Sequence, residues 1–125
     1  MISKNKWKET LIEVNTRVNE EIRFVAEPEG QDHWKPAMKT GDCEDYAILK
    51  RRELVAAGVP ASSMRFAMVE NDRYGLHVVL VVRTTDGDRV LDNTTDTIWP
   101  AHKTSFNWLS IQSRWNPRKW LKVAN

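Results

Sequence analysis

Cysteine is nearly absent: Cys43 is the single one in 125 residues. That excludes an internal disulfide and any zinc site built from several thiolates. No run of about 18 apolar residues occurs, so no transmembrane helix is expected. The opening M-I-S-K-N-K-W-K lacks the apolar core of a secretory signal, and the chain as given is expected in the cytoplasm. Charge of neither sign dominates. The 19 Lys and Arg residues against 17 Asp and Glu leave +2 at pH 7, so no nucleic acid or other strong polyanion is implied as partner. Repeats, low-complexity tracts and linkers are missing too. Residues 1–125 read as one domain, long enough to bury roughly two thirds of its unfolded surface.

What is present is ordered by period. Trp7, Leu11, Val14, Val18, Ile22 and Val25 recur every three or four residues, which predicts a helix from Trp7 to about Val25. Ala26 to Thr40, with Pro28, Gly30 and Pro36, reads as a loop that covers or feeds a site. A second helix is expected to open at Gly41-Asp42 and run to about Ala57. Asp42 would be its cap, Asp45 stands three residues on as in a capping box, and Gly58 and Pro60 would stop it. The period then changes to two. Met64 to Val69 and Leu76 to Thr84 read as strands, the second rich enough in valine to be buried on both faces. Asp86-Gly87 is a hairpin signal, and Arg89 to Asn93 returns as a third strand. From Thr94 on, Trp99, Phe106, Trp108, Trp115 and Trp120 give apolar weight without a clean period, so short strands and irregular packing are expected. Helices first and an antiparallel sheet after them make the fold class α+β.

Cys43 lies in the first turn of the second predicted helix. There, unpaired N–H groups and the helix dipole favour an anion and lower a thiol pKa. Its neighbours Asp42, Glu44 and Asp45 act the other way, since carboxylates disfavour a thiolate. The bland reading of those acids is that Asp42 caps the helix and the others favour its positive end. His77 falls on the same strand face as Val79 and Val81, a polar intrusion into an apolar run, while His33 and His102 lie in loop-like segments. A lone strand histidine is more often a satisfied core residue than a catalyst, and a lone helix-start cysteine is more often inert. Their joint appearance, with an aspartate on the next strand, favours chemistry.

Gly41-Asp42-Cys43-Glu44-Asp45-Tyr46-Ala47-Ile48-Leu49-Lys50, then Leu54, Gly58-Val59-Pro60, Gly75-Leu76-His77-Val78-Val79-Leu80 and Val90-Leu91-Asp92-Asn93, closely resembles the bacterial transglutaminase-like cysteine proteinases. Val14-Asn15, Val18-Asn19 and Asp32-His33-Trp34-Lys35-Pro36 fit the opening of that family, and Ser105-Phe106-Asn107 matches it faintly. The resemblance spans about residues 7 to 100. It implies a papain-like α+β fold and a Cys-His-Asp triad: Cys43 as nucleophile, His77 as general base and then acid, Asp92 orienting the imidazole. The best-known family members are periplasmic, calcium-dependent proteases that release an adhesin. By the same resemblance Asp42 and Glu44 belong to a calcium site, which would offset their repulsion of a Cys43 thiolate. Two acids are too few for a complete shell, so carbonyls, water or a loop residue such as Asp32 would have to contribute. The Cys43 backbone N–H and the Trp34 indole are candidate oxyanion donors.

One geometric point opposes the resemblance. A two-residue Asp86-Gly87 turn would place Asp92 opposite Val81 and His77 opposite Asp96. Geometry alone then names Asp96; the resemblance names Asp92, which we follow. The function expected is a thiol endopeptidase acting on a protein or peptide. Alternatives on the same triad are hydrolysis of cell-wall peptides, suited to the basic tail from Arg114 to Lys122, and transamidation. An alternative of another class is a non-catalytic protein-binding module, against which the intact Cys43, His77 and Asp92 argue.

Overall fold

The structure is a computed structural model that describes residues 4–26, 40–71, 75–116 and 118–123, with the side chains of these except at 4–6, 22–26, 40–44 and 71. Two helices come first, α1 (Lys4–Ala26) and α2 (Thr40–Ala56), followed by the strands β1 (Met64–Asn71), β2 (Gly75–Thr84), β3 (Gly87–Asp92), β4 (Thr95–Pro100), β5 (Asn107–Gln112) and β6 (Trp120–Lys122). Single 3-10 turns at Ala61–Ser63 and Ala101–Lys103 join the elements between them. The expected α+β order is what the chain adopts. Helix α2 begins at Thr40, so Asp42 lies within its first turn rather than at its cap. The expected loop between the helices, with His33, Trp34 and Asp32, lies outside the described residues.

The strands form one six-stranded antiparallel sheet in the order β4-β3-β2-β1-β5-β6. Its centre is β2, buried from His77 through Val82. Alternation sends Val78, Leu80 and Val82 to the helix side, where they meet Leu11, Val14 and Val18 of α1 and Ala47 and Leu54 of α2. Each such valine or leucine side chain, fully buried, contributes about 1.5–3 kcal/mol. Val79, Val81 and Val90 point the other way, with Ala67 and Val69, into a smaller cluster roofed by Phe106, Trp108 and Ile111. The valine run is apolar on both sides because both sides are covered. The C-terminal strands are short, as expected; Trp108 of β5 packs on the second cluster, while Trp115, between β5 and β6, is 92% exposed. Among the described residues no helix is long and apolar enough to cross a membrane.

The β2–β3 hairpin corrects the expected turn. Thr84 pairs with Gly87, so Thr85 and Asp86 form the turn rather than Asp86 and Gly87. The Thr84 hydroxyl accepts the Asp86 N–H at 3.1 Å and donates to the Gly87 carbonyl at 2.7 Å, closing the turn one residue early. Gly87, at φ +101, opens β3 in a conformation that a side chain would strain. Helix α1 is fastened to this hairpin: the Trp7 indole N–H donates to Asp86 at 3.1 Å, and the Arg89 guanidinium lies 5.0 Å from the Trp7 ring centroid.

Candidate active site

The corrected register removes the geometric objection to Asp92. Extending the pairing from Leu80 with Leu91 puts Asp92 opposite Val79, two positions closer to His77 than the expected Val81. The two residues become diagonal neighbours on one face, within reach of a long side chain. They meet: His77 Nε2 is hydrogen-bonded to Asp92 Oδ1. His77 is fully buried, and Asp92 is 5% exposed. Asp96, the geometric alternative, lies on β4 and instead accepts a hydrogen bond from Asn19.

Local sequence explains why Asp92 is held so well. Asp92 pairs with Thr95 across the tight turn Asn93-Thr94. The aspartate accepts the Thr94 N–H at 3.1 Å on Oδ1 and the Thr94 hydroxyl at 2.8 Å on Oδ2, the side-chain turn that Asp favours. Both carboxylate oxygens are thereby engaged. Burial by itself pushes the Asp92 carboxyl up, but the His77 hydrogen bond and charge, with the two Thr94 donors, bring it below the ordinary 3.8. Asp92 is therefore the charged partner at neutral pH. Its charge places the ring proton on Nε2, where the N–H donates and the carboxylate accepts. Proton exchange with a reacting group then falls to Nδ1.

Two further parts support this pair. Phe106 stands over His77 with ring centroids 6.0 Å apart, and Trp108 packs edge-on against Phe106 at 6.2 Å. From the helix side, Asn19 donates through Nδ2 to the carbonyls of Asp92 (3.1 Å) and Thr95 (3.2 Å) and to Asp96 Oδ1 (3.0 Å). Asn15, one turn earlier, donates to the same Thr95 carbonyl at 3.2 Å. Both asparagines are buried, which ties α1 to the turn that carries Asp92. Thr94, Phe106, Asn15 and Asn19 were not singled out as site residues from sequence. The signal was there: two amides one helical turn apart beside an apolar stripe, and an Asp with a threonine two positions on. Beside the pair a pocket of about 270 Å³ opens, lined by Asp92, Thr94, Trp99, Lys103 and Phe106 among others.

Cys43 sits in the first turn of α2, which packs on β2 and β3. The side chains of Cys43, Asp42 and Glu44 lie outside the described residues. Of the other histidines, His102 is exposed in the 3-10 turn after β4, and His33 is outside the description.

Residues 1–125 match one family model throughout, that of the bacterial transglutaminase-like cysteine proteinase. The chain belongs to this family. Solved structures agree. Legionella pneumophila LapG in a calcium-bound form is 27% identical, with a TM-score of 0.64 over 85% of this chain and 65% of that one. An EGTA-treated form of LapG, 23% identical, superposes with a TM-score of 0.66 over 94% of this chain and 68% of that one. At that identity the second likeness speaks for the fold alone. The chain thus spans about two thirds of the LapG structures, slightly less in the first. No curated protein matches it significantly.

Proposed function

We propose that residues 1–125 form one peptidase domain, a cysteine endopeptidase that works through Cys43, His77 and Asp92. The observation that supports this best is the buried His77–Asp92 pair on adjacent strands of a chain that belongs to a cysteine proteinase family. His77 takes the Cys43 proton through Nδ1, and the thiolate attacks the scissile carbonyl carbon. The tetrahedral intermediate collapses as the C–N bond breaks, and His77 returns the proton to the leaving amine. The acyl group is then a thioester on Cys43. His77 next deprotonates a water that attacks this thioester, and the thiol leaves with the proton restored. Throughout, the Asp92 carboxylate stabilises the transient imidazolium and fixes its orientation. The Cys43 backbone N–H is the proposed oxyanion donor, with the Trp34 indole as the candidate for a second.

Calcium enters this reading through Asp42 and Glu44. The LapG structure that is 27% identical is a calcium-bound form. Among the described residues no group of three or more His, Cys, Asp or Glu side chains is placed to hold a metal. Asp42 and Glu44 fit by chemistry, as hard oxygen donors on either side of Cys43 in the first turn of α2. When bound there, calcium supplies positive charge that offsets the two carboxylates beside the thiol.

The test is cleavage of a peptide library read by mass spectrometry, with Cys43→Ala as control. Internal cleavage lost in Cys43→Ala supports an endopeptidase. Clearing of purified cell walls without cleavage of the library points to a cell-wall peptide hydrolase, and amine incorporation in place of water points to a transamidase. A wild type inactive in all three assays refutes the catalytic reading.

A further inference from the structure

All 17 acids of the chain precede residue 113, whereas four of its 19 Lys and Arg residues, Arg114, Arg118, Lys119 and Lys122, follow it. The side chains of residues 1–112 therefore carry −2 at pH 7, and those of the short remainder carry +4. The sheet sets where that charge sits. Residues 113–119 join β5 to β6, the edge strand. Asn107 pairs with Glu70 and Ile111 with Ala67, so β5 runs away from Val69, the partner of His77. Arg114 follows at the far end, where its charge, second only to burial, lowers the Arg65 pKa. Arg65 is four positions along β1 from Val69, about 13 Å. The proposed catalytic groups do not account for this loop.

Its backbone is held from within. Buried Ser113 donates its N–H to the Lys119 carbonyl at 2.8 Å, and its hydroxyl accepts the N–H groups of Trp115 and Asn116 at 3.1 and 3.3 Å. The Asn116 carbonyl accepts the Lys119 N–H at 2.9 Å, and its side-chain oxygen accepts the Arg118 N–H at 3.1 Å. On this frame Trp115 stands 92% exposed, and Trp120 and Leu121, just after it, are each 44% exposed. Arg114, Arg118, Lys119 and Lys122 are exposed too, and none has a carboxylate partner among the described residues.

Solvation accounts for the cations but not for a tryptophan held out in water. A tip of seven residues is also small for a protein interface, which takes about 20–30 residues a side. A bilayer surface asks for less. An amphipathic indole rests at headgroup level, and lysines and arginines around it are drawn to anionic lipid. A backbone already fixed presents them with little further ordering cost.

We propose that the β5–β6 hairpin moors the protein reversibly to an anionic phospholipid surface, with Trp115 at headgroup level and Arg114, Arg118, Lys119 and Lys122 facing the phosphates. The end of the sheet that carries His77 then points away from the lipid.

The experiment is co-sedimentation of the full chain with vesicles of phosphatidylcholine alone and of phosphatidylcholine mixed with phosphatidylglycerol. Saturable binding is expected on the mixed vesicles, at least tenfold tighter than on phosphatidylcholine, and weakening as sodium chloride screens the charges. The double variant Arg118→Gln/Lys119→Gln should lose about fivefold for each charge removed. Trp115→Ala should weaken binding severalfold at unchanged charge. These side chains are exposed, so the variants should fold, as circular dichroism will verify. Arg52→Gln, an exposed cation of α2, and Cys43→Ala should bind as the wild type does; the second separates the mooring from the peptidase reading. Binding to mixed vesicles no tighter than to phosphatidylcholine would overturn the proposal, as would affinity unchanged in Trp115→Ala or in the double variant. So would pelleting with purified cell walls, or capture by a glutamate-rich peptide, without binding to the mixed vesicles.

Discussion

Replacing Asp92 by asparagine removes one charge and almost no volume, so it isolates what the carboxylate does for His77. An amide oxygen can still accept from Nε2–H and from the Thr94 N–H, and the Thr94 hydroxyl can turn to accept from the new amide. The fold should therefore hold. What disappears is the charged half of the hydrogen bond. Hydrogen bonds to charged groups contribute about 1.5–3 kcal/mol and neutral ones about 0.5–1.5, so the imidazolium loses about 1–2 kcal/mol. That corresponds to roughly five- to thirtyfold in any step that passes through it. Asp92→Ala is harsher. It leaves the buried His77 and Thr94 donors without an acceptor, and removing one partner of a buried pair costs about 3–5 kcal/mol of stability. Asp96→Asn is the control: Asp96 is exposed, and an amide oxygen can still accept from Asn19, so stability should change by less than about 0.5 kcal/mol. The assays are peptide hydrolysis, Cys43 alkylation rate and urea unfolding for all three variants. If Asp96→Asn is the damaging change and Asp92→Asn is mild, the His77–Asp92 assignment is wrong.

Asn19→Ala deletes the donors to the Asp92 and Thr95 carbonyls; unfolding in urea should show a loss of about 1–3 kcal/mol, with activity falling further than the loss of folded protein accounts for. Because the folded Asp92 carboxyl lies below its ordinary value, its contribution to stability is fully present above about pH 4 and is lost as pH falls through the lower folded pKa. Acid titration of stability should therefore be flatter in Asp92→Asn than in wild type over that window. Calcium should raise the melting temperature by mass action and magnesium should substitute poorly, with a heat of binding that weakens in Glu44→Gln. Equal melting in calcium and in chelator, with no heat of binding, would leave helix-end electrostatics as the reason for the acids at Asp42 and Glu44.

Much of this architecture was legible because periods of 3.6 and 2 report burial directly. Leu11, Val14 and Val18 face the core as their spacing requires, and the run from Val78 to Val82 is covered on both sides as its composition requires. The hairpin register was not legible. Asp86-Gly87 and Thr85-Asp86 differ by one residue, and the choice rests on a Thr84 hydroxyl and a glycine φ that no hydrophobic pattern encodes. That single position decides whether Asp92 can reach His77, which explains why strand geometry pointed to Asp96 while the motif pointed to Asp92. Asn15 and Asn19 escaped for a related reason: a polar residue beside an apolar stripe is normally solvated, and only the tertiary fold brings the Thr95 carbonyl to them.

The central claim is that Cys43 is a thiol activated by His77, and its alkylation by iodoacetamide tests this without knowledge of a substrate. The rate is measured from pH 5 to 9 in wild type and in His77→Ala, against a free cysteine peptide. The account predicts a wild-type rate well above that of the peptide at neutral pH, and a His77→Ala rate that falls toward it in a protein that remains folded. A wild-type Cys43 that reacts no faster than the peptide, or one indifferent to His77→Ala, would contradict it.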